Sequence, residues 1–357
     1  MTPFKMQRMG MIMEPKPGED AEAEGVLNPA AVRGPDGQLY LFPRLVGKGN
    51  YSRIGLARVL FDASGDPYGV ERMGIALEPQ ADYELAPGGR GGCEDARVAY
   101  VDALGHYVMS YTALSAHGPR IAIARSPDLI HWERVGLAKF QPYKDIVFDG
   151  VDNKDACVFP QAINDPDHKA SIGMLHRPLF PGTRPEEKVE APRGYPENLG
   201  LESIWISYWH IDGATHAPVG RQFVAHRRLA RPEAAWEKLK IGAGAPPMLC
   251  RHGWLMVYHG VQEKPDSTPE RRDLAYSAGV MVLSQDHPHR ILYRSPHPVL
   301  EPEDPLELKG IVNGVVFPTG VDRRDDLGQP DRFDVYYGMA DDRIGVARMI
   351  VPDVLPA

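Results

Sequence analysis

The chain has 357 residues, of which 43% are hydrophobic and 25% charged, a balance typical of a globular protein with a full core. Its formal net charge of −8 argues against a general nucleic-acid or membrane-surface binder, because both need an excess of Lys and Arg. The three cysteines are sparse and form neither a disulfide framework nor a zinc pattern, so they fit small buried apolar residues.

The N-terminal segment predicts a cytoplasmic location. Residues 1–20 contain no long apolar run and no small-residue cleavage site, so they do not resemble a secretory signal. No segment approaches the roughly 18 apolar residues of a transmembrane helix. We therefore expect no membrane partner.

Glycine (36 residues) and proline (34 residues) are spread along the chain, a pattern that favours many short strands joined by turns. Helical periodicity is scarce, and the best helix candidate, Arg231 to Leu239, is short. The composition and the patterning together indicate an all-β protein.

A three-part pattern recurs five times. Each unit opens with a short polar motif before an apolar strand, continues with a strand rich in Tyr, Trp or His, and closes with a strand such as Ile-Gly-Leu-Ala-Arg. The units begin 66, 60, 92 and 67 residues apart, at Asn28, Glu94, Lys154, Pro246 and Asn313. The long third interval matches a Pro- and charge-rich insertion at about 179–200, which we expect to be a surface loop.

A repeat of this length with three or four strands is typical of a propeller blade. We predict one five-bladed β-propeller domain over residues 1–357, with a catalytic pocket at its central channel. In such a fold the first strand of each blade lines the channel, so the polar residues that open these strands would converge on one pocket. The alternative is a β-sandwich whose strands are similar by coincidence.

Two carboxylates are candidates for chemistry. Asp95 stands at a strand start beside glycines, where it could face a cavity, although a turn-capping Asp paired with Arg97 is the plainer interpretation. Asp341, in the fifth unit, is a similar candidate. Several aromatic residues could stack on sugars but more often belong to the core at alternating strand positions: Tyr40, Tyr111, Trp254, Tyr336 and Tyr337.

Four basic residues are interpreted as lying at equivalent places in their units: Arg53, Lys154, Arg177 and His259. Each alone fits a solvated surface charge, but four donors around one axis would make an anion site. Phosphate suits such a site, because Arg binds its oxygens bidentately and Lys supplies a point charge. Tyr276 could add a hydroxyl donor.

Other catalytic patterns are absent from the sequence. There is no P-loop, no Rossmann glycine fingerprint, no Gly-x-Ser-x-Gly motif and no His/Cys cluster with metal spacing. We therefore expect neither a metal nor an organic cofactor.

At these motifs the sequence resembles glycoside hydrolase family 130, the β-mannoside phosphorylases and related mannosidases. The resemblance extends from about Asn28 to Arg348. It rests on short motifs in order, among them Asn28-Pro29-Ala30, Ser52-Arg53-Ile54-Gly55, Glu94-Asp95-Ala96-Arg97, Asn153-Lys154-Asp155-Ala156, His176-Arg177-Pro178, Tyr258-His259-Gly260 and Tyr336-Tyr337-Gly338 with Ala340-Asp341. It implies a five-bladed propeller, in agreement with the repeat.

The resemblance also implies roles. Asp95 would be the proton donor, with the proton passing through a hydroxyl of the mannosyl unit. Phosphate would be held by Lys154, Arg177, His259 and Tyr276. The mannosyl ring would be held by Asn28, Arg53 and Asp341, and Glu94 and Asp155 are further candidates for substrate contacts.

The sequence departs from the family pattern at two places. Ala96 replaces the usual proline of Glu-Asp-Pro-Arg, which should alter loop stiffness more than chemistry. Leu249 and Cys250 stand where many members carry a basic residue and Thr, so one anion or sugar contact is in doubt.

The charges favour phosphorolysis. An inverting hydrolase needs two carboxylates about 6.5–9.5 Å apart, whereas phosphate attacks as an anion and needs only the acid. Because the sequence retains the cations and offers no clear second carboxylate, we predict inverting phosphorolysis of β-mannosides to α-mannose 1-phosphate, with phosphate as co-substrate. Three alternatives remain: a β-mannosidase of the same fold, a propeller glycosidase acting on arabinosides, xylosides or fructosides, and a non-catalytic carbohydrate-binding propeller. The linkage, the acceptor sugar and a homo-oligomeric state stay open.

Overall fold

The computed structural model describes residues 3–143, 146–180, 199–217, 219–264, 267 and 273–356. In these ranges the chain forms 22 β-strands and one four-residue α-helix, α1 (Pro305–Leu308). The remaining helical segments are single 3-10 turns: Asp20–Glu22, Asp82–Glu84, Phe148–Gly150, Ala235–Glu237 and Asp325–Leu327. The prediction of an all-β fold is confirmed.

The helix predicted from Arg231 to Leu239 is wrong, because that segment holds only the turn Ala235–Glu237. Trp236 and Glu237 are buried there, so tertiary contacts rather than helical periodicity set its conformation. No helix in the described ranges is long and apolar enough to span a bilayer.

The strands form five four-stranded antiparallel units. The first strand of the chain, β1 (Gln7–Met13), belongs to the fifth unit. Unit 1 comprises β2 (Gly25–Arg33), β3 (Leu39–Gly47), β4 (Tyr51–Phe61) and β5 (Pro67–Leu77). Unit 2 comprises β6 (Gly91–Val101), β7 (His106–Ser115), β8 (Gly118–Ser126) and β9 (Glu133–Leu137). A short parallel pairing of β4 with β6 joins units 1 and 2 into one sheet.

Units 3 and 4 each carry one extra short strand. Unit 3 comprises β10 (Asp152–Val158), β11 (Ile163–Asn164), β12 (Ala170–Leu179), β13 (Ile204–His210) and β14 (Val224–Ala230). Unit 4 comprises β15 (Lys240–Ala243), β16 (Met248–Cys250), β17 (Gly253–Glu263), β18 (Leu274–Leu283) and β19 (Ile291–Arg294). Most of the predicted insertion at 179–200 lies outside the described residues.

Unit 5 is completed from both ends of the described chain. It comprises β20 (Val316–Arg323), β21 (Arg332–Met339) and β22 (Arg343–Ile350), and β1 pairs antiparallel with β22 as the fourth strand. The sequence analysis did not anticipate β1, because the repeat pattern begins only at Asn28.

The first strand of unit 4 differs from the prediction. We expected it to start at Pro246, but β15 begins at Lys240 and covers the small residues Gly242 and Ala243. The segment at Met248 forms β16, which pairs with the opposite end of β17. Small residues have low strand propensity, so β15 carries little signal in the sequence.

The hydrophobic core consists of five clusters, and each lies between two consecutive units. The clusters join units 1 and 2, 2 and 3, 3 and 4, and 4 and 5. The remaining cluster joins unit 5 back to unit 1, where Tyr336 and Val346 pack with Leu39 and Leu41. The units therefore contact one another in a cyclic order, and each interface excludes water from apolar side chains.

Candidate active site

The first strands of units 1, 2 and 3 share one irregularity near their starts. Asn28, Asp95 and Asp155 adopt the left-handed conformation, with φ values of 46°, 48° and 53°. Each lies in a bulge where the pairing register shifts, between Leu27 and Ala30, Glu94 and Arg97, and Lys154 and Cys157. A non-glycine residue pays about 1–2 kcal/mol for this conformation, and a bulge re-aims the side chain. Three candidate residues therefore occupy one repeated structural position.

A second repeated position lies on the neighbouring strand. This position on the second strand pairs with a residue near the start of the first strand. In units 1 to 5 it is occupied, in order, by Arg44, Thr112, Arg177, His259 and Gly338. The predicted equivalence of four basic residues is therefore partly wrong. Arg177 and His259 share this position, but Lys154 lies on the first strand of its unit and Arg53 on the third. Residues in different units are structurally equivalent when they share a position in the strand register, and short sequence motifs do not determine that register.

Arg44, which the sequence analysis missed, organises the Asp95 cluster, made of Asn28, Arg44, Glu94, Asp95 and Asp341. Its Nη2 donates to Glu94 Oε1 at 2.7 Å, and its Nε donates to Ser52 Oγ at 2.9 Å. Its Nη1 lies 3.6 Å from Asp95 Oδ1. Burial lowers the pKa of Arg44, but Glu94, Asp95 and Asp341 outweigh it and the net direction is upward. The Pro43-Arg44 step in an otherwise apolar strand was the available signal.

The two carboxylate oxygens of Asp95 differ in their surroundings. Oδ1 accepts a hydrogen bond from Asn28 Nδ2 at 2.9 Å and faces Arg44. Across the described ranges no residue donates to Oδ2. Asn28 is buried and thus positions the carboxylate through Oδ1.

Asp341 supplies a second carboxyl group beside Asp95. It is half-buried and also adopts the left-handed conformation, with a φ of 52°. Burial, and then the Asp95 carboxylate, raise the pKa of Asp341 to about 6. Asp341 was predicted both as a candidate carboxylate similar to Asp95 and as a sugar contact, and the structure brings it into the electrostatic environment of Asp95.

The Arg177 cluster comprises Lys154, Asp155, Arg177, Glu202, His259 and Tyr276. Arg177 Nε donates to Asp155 Oδ2 at 2.6 Å, and Nη1 donates to Glu202. Burial alone would raise the pKa of Asp155, but Arg177 holds it well below its usual range. Glu202 follows the predicted insertion and was not a candidate in the sequence analysis.

His259 lies behind Asp155 and is fully buried. Its Nε2 is 3.6 Å from Asp155 Oδ2, and its ring packs 4.3 Å from the Phe317 ring centre. Burial lowers the pKa of His259 to about 3, against the attraction of Asp155. The imidazole is therefore neutral, so any contact with an anion would be made by a neutral donor and not by a cation.

Lys154 and Tyr276 complete this cluster. Lys154 pairs with Arg177 across β10 and β12, and it makes no hydrogen bond or ion pair with the part of the chain that the structure describes. Burial raises the pKa of Tyr276, so its hydroxyl stays a donor at neutral pH. Charges of both clusters, including Asp341 and Arg177, act on Tyr276. The two clusters therefore lie within electrostatic reach of each other.

Arg97 joins the main chain at Asp95 to the segment that follows β15. It is fully buried, and its Nε donates to Gly244 O at 2.6 Å while its Nη1 donates to Asp95 O at 2.7 Å. The plainer interpretation, an Asp95 side chain paired with Arg97, is wrong because the guanidinium binds the Asp95 carbonyl. The Asp95 carboxylate is left to Asn28 and Arg44.

Within the described residues, Arg53 makes no hydrogen bond or ion pair with a member of either cluster. Its Nε lies 2.7 Å from Glu78 Oε2, and its guanidinium lies 4.4 Å from the centre of the Tyr51 ring. Its role as a sugar contact stays a prediction, as do the ligand roles of the other candidates.

A repeated network of ion pairs and hydrogen bonds stabilises the second long strand of units 2, 4 and 5. In unit 2, Glu84 accepts from the Tyr111 hydroxyl at 2.5 Å and from Arg134 Nε at 2.9 Å. The same arrangement recurs in units 4 and 5, as Glu237-Tyr258-Arg294 and Glu307-Tyr337-Arg8. Each Tyr directly precedes a site position, Thr112, His259 or Gly338, so the network fixes the backbone beside the site. These tyrosines are buried network residues rather than stacking platforms for a sugar.

Gly242 and Gly338 are required because side chains of the two clusters approach their Cα atoms closely. A Cβ at Gly338 would overlap Oδ1 of Asn28, and a Cβ at Gly242 would overlap Oδ2 of Asp155. Each cluster therefore depends on one residue without a side chain. Within the described ranges, no group of three or more His, Cys, Asp or Glu side chains could hold a metal ion.

Comparison with known families identifies the chain. The sequence model described as β-1,4-mannooligosaccharide phosphorylase matches residues 10–178 and 213–356. The chain belongs to glycoside hydrolase family 130. It is therefore an enzyme of the family that the sequence motifs had suggested.

Relatives of known name are mannoside phosphorylases. The chain is 28% identical to the 1,2-β-oligomannan phosphorylase of Thermoanaerobacter sp. (strain X514) over 98% of this chain and 99% of the relative. Its fold is similar to that of the β-1,2-mannobiose phosphorylase from Listeria innocua, with a TM-score of 0.68, 23% identity and 97% of both chains covered. The fold is also similar to that of a second solved structure, with a TM-score of 0.68, 22% identity and coverage of 99% of this chain and 98% of the other. That structure is described with the statement that the GH130 family of mannoside phosphorylases contains glycoside hydrolases that target β-1,2 mannosidic linkages in Candida mannan.

Proposed function

We propose that this family 130 enzyme is an inverting phosphorylase of β-mannosides, with Asp95 as proton donor. The observation that carries the proposal is the pairing of the two clusters. Among the described residues, one cluster holds a carboxylate with one anchored oxygen and one oxygen without a donor, and the other holds a buried guanidinium and an amine without an ion-pair partner. Charges of both clusters act on Tyr276.

The proposal includes the five-bladed propeller. The cyclic order of the five core clusters supports this interpretation of the five units. A cavity of about 310 Å³ at the far ends of the first strands also supports it, because residues from all five units line that cavity. Among these lining residues are Arg33, Tyr100, Pro160, Pro247 and Asp322.

The reaction follows from the charges. Phosphate would bind between Lys154 and Arg177, with the neutral donors His259 and Tyr276 beside it, and its oxygen would attack the anomeric carbon. The glycosidic C–O bond breaks as the new C–O bond forms, and the proton of Asp95 passes through a mannosyl hydroxyl to the departing oxygen. Attack from the face opposite the leaving group inverts the centre and yields α-mannose 1-phosphate.

The substrate class is proposed from the relatives. The full-length relative acts on 1,2-β-oligomannan, so β-1,2-linked manno-oligosaccharides are the first substrates to test. The family description names β-1,4-mannooligosaccharides, which are the second. A cytoplasmic location, where phosphate is available and a phosphorylated sugar is retained, is part of the proposal.

The second candidate function is hydrolysis. Asp341 favours it, because a carboxyl group whose pKa is raised to about 6 beside the acid could share in activating water. A hydrolase would release free mannose in buffer without phosphate.

One product assay tests the proposal. β-1,2- and β-1,4-mannobiose would each be incubated with the enzyme, with and without phosphate, while mannose 1-phosphate and free mannose are measured. We expect mannose 1-phosphate only with phosphate, and its loss in Lys154→Ala and Arg177→Ala. Cleavage that proceeds unchanged in those variants and without phosphate would show that phosphorolysis is wrong.

A further inference from the structure

The guanidinium of Arg177, the proposed phosphate ligand, is already bound to two carboxylates. Asp155 accepts from Arg177 Nε, and Glu202 accepts from Nη1. Nη2 makes no hydrogen bond with the described residues. A guanidinium holds phosphate best through two parallel N–H donors, either Nε with Nη2 or Nη1 with Nη2. Both of these pairs therefore contain one nitrogen that is already bound to a carboxylate.

The two carboxylates differ in their freedom to move. Asp155 is held in the bulge at a φ of 53°, is 4% exposed and lies against Gly242 and His259. Glu202 lies outside the named strands, and only its main chain is fixed, through the hydrogen bond from Ile241 N to Glu202 O at 3.1 Å. Its side chain is 13% exposed, has three rotatable bonds where Asp155 has two, and within the described residues makes its one hydrogen bond with Arg177. Glu202 is thus the carboxylate that can leave Arg177.

The charge balance of the Arg177 cluster explains why the departure of Glu202 would affect phosphate binding. Arg177 and Lys154 carry two positive charges, Asp155 and Glu202 carry two negative charges, and His259 is neutral. These four charges cancel while Glu202 remains, so a phosphate dianion that enters this site meets only the attraction of Arg97 and Lys240, which also act on the cluster. When Glu202 turns away, Arg177 regains the Nη1–Nη2 pair and the site regains a positive charge.

We propose that Glu202 is a specificity-determining residue that competes with phosphate for Arg177 and thereby sets the phosphate concentration at which the enzyme works. This inference rests on the proposed function only in placing phosphate at Arg177. Its test therefore measures phosphate binding directly, without turnover.

The test is calorimetric titration of the full-length protein with inorganic phosphate, in the absence of sugar. Glu202→Gln keeps the size of the side chain and removes its charge, and we expect its Kd for phosphate to be about 10-fold lower than that of the wild type. The matched control is Glu133→Gln, which removes a carboxylate from the remote surface pair with Arg125 and should leave the Kd unchanged. In an Arg177→Ala background, Glu202→Gln should change the Kd less than 2-fold, since the competition acts through Arg177.

Each outcome has a definite meaning. Tighter binding by Glu202→Gln, dependent on Arg177, supports the proposal. Equal or weaker binding overturns it, and so does the absence of any phosphate binding to either protein. Should Glu202→Gln melt well below the wild type, Glu202→Asp serves instead, because its shorter side chain should release Arg177 and again lower the Kd. If phosphate binds as expected but mannosides yield only free mannose, the proposed phosphorolysis fails while the competition at Arg177 stands.

Discussion

Arg44 and Arg177 occupy the same register position in units 1 and 3, yet they contact different groups. Arg44 is surrounded by the carboxylates of Glu94, Asp95 and Asp341, which lie in units 2 and 5. Arg177 binds Asp155 in its own unit and Glu202 in the segment before β13. One repeated position thus supplies the cation that faces the proposed acid, Asp95, and the cation that is proposed to hold the attacking anion.

The difference teaches how a repeated scaffold can acquire two functions. The backbone device is the same in both regions, a bulge with a left-handed residue beside an arginine. What differs is the number of donors left free. All three guanidinium nitrogens of Arg44 face oxygen atoms within 3.6 Å, whereas Nη2 of Arg177 makes no hydrogen bond with any residue that the structure describes. We therefore expect substitutions in the two regions to affect different kinetic parameters.

The largest effect should come from Asp95→Asn. The amide cannot donate the required proton, so turnover with phosphate should fall by roughly 10²–10⁴-fold. The measurement is the initial rate of mannose 1-phosphate release, with Asp102→Asn, on an exposed turn of the same unit, as the control. Near-normal turnover of Asp95→Asn would remove Asp95 from the role of acid.

Lysine substitutions of the two arginines test the comparison itself. Arg44→Lys keeps the charge but loses the fork that binds Ser52 and Glu94, so kcat should fall by about 100-fold with the KM for phosphate nearly unchanged. Arg177→Lys should instead raise the KM for phosphate by about 10-fold. Initial rates over a phosphate series measure both parameters, and a shared effect on one parameter would contradict the division of roles.

Alanine at the two close-approach glycines should disturb one cluster each. Gly338→Ala crowds Asn28 and should lower kcat, whereas Gly242→Ala crowds Asp155 and should raise the KM for phosphate. Each should also destabilise the fold by about 1–3 kcal/mol, measured by denaturant unfolding. Gly69→Ala is the control, since nothing lies within 4 Å of its added Cβ. If all three variants match the wild type, the clusters tolerate more displacement than the contacts suggest.

The smallest effect should be the pH dependence of stability at Asp341. Its folded pKa of about 6 exceeds the ordinary value of 3.8, so the native state binds more protons and loses stability as pH rises from about 4 to 6. Asp341→Asn removes this loss, and its stability relative to the wild type should rise by about 1–2 kcal/mol across that window and then level off. Denaturant unfolding at pH 4, 5, 6 and 7.5 measures the difference, and a constant difference would contradict the raised pKa.

Much of the all-β fold could be predicted from the sequence because the repeat resides in apolar strands and glycine turns. Strands β6, β7 and β8 match the second predicted unit closely. Strand β15 was misplaced because its Gly and Ala residues carry little strand signal, and β1 was missed because it joins β22 across the whole chain. Sequence patterns report local preference, and both failures concern long-range pairing.

The candidate site was predictable where a residue lies on a repeated first strand. Asn28, Asp95 and Asp155 share this position, and Asn28 contacts Asp95 there. Arg44 and Glu202 were missed because their importance depends on which strand faces them, and the neutral state of His259 depends on burial that no motif encodes. Register and desolvation are properties of the folded chain.

The pairing of β1 with β22 has a consequence for biosynthesis. Arg8, on β1, supplies the partner of Glu307, which in turn holds Tyr337 beside Gly338 and Asn28. Residues 343–350 must leave the ribosome before this sheet can form, so β1 cannot pair until β22 has been translated. The Asp95 cluster should therefore be completed only after β22 has been synthesised, and a nascent chain stalled before Arg343 should lack it.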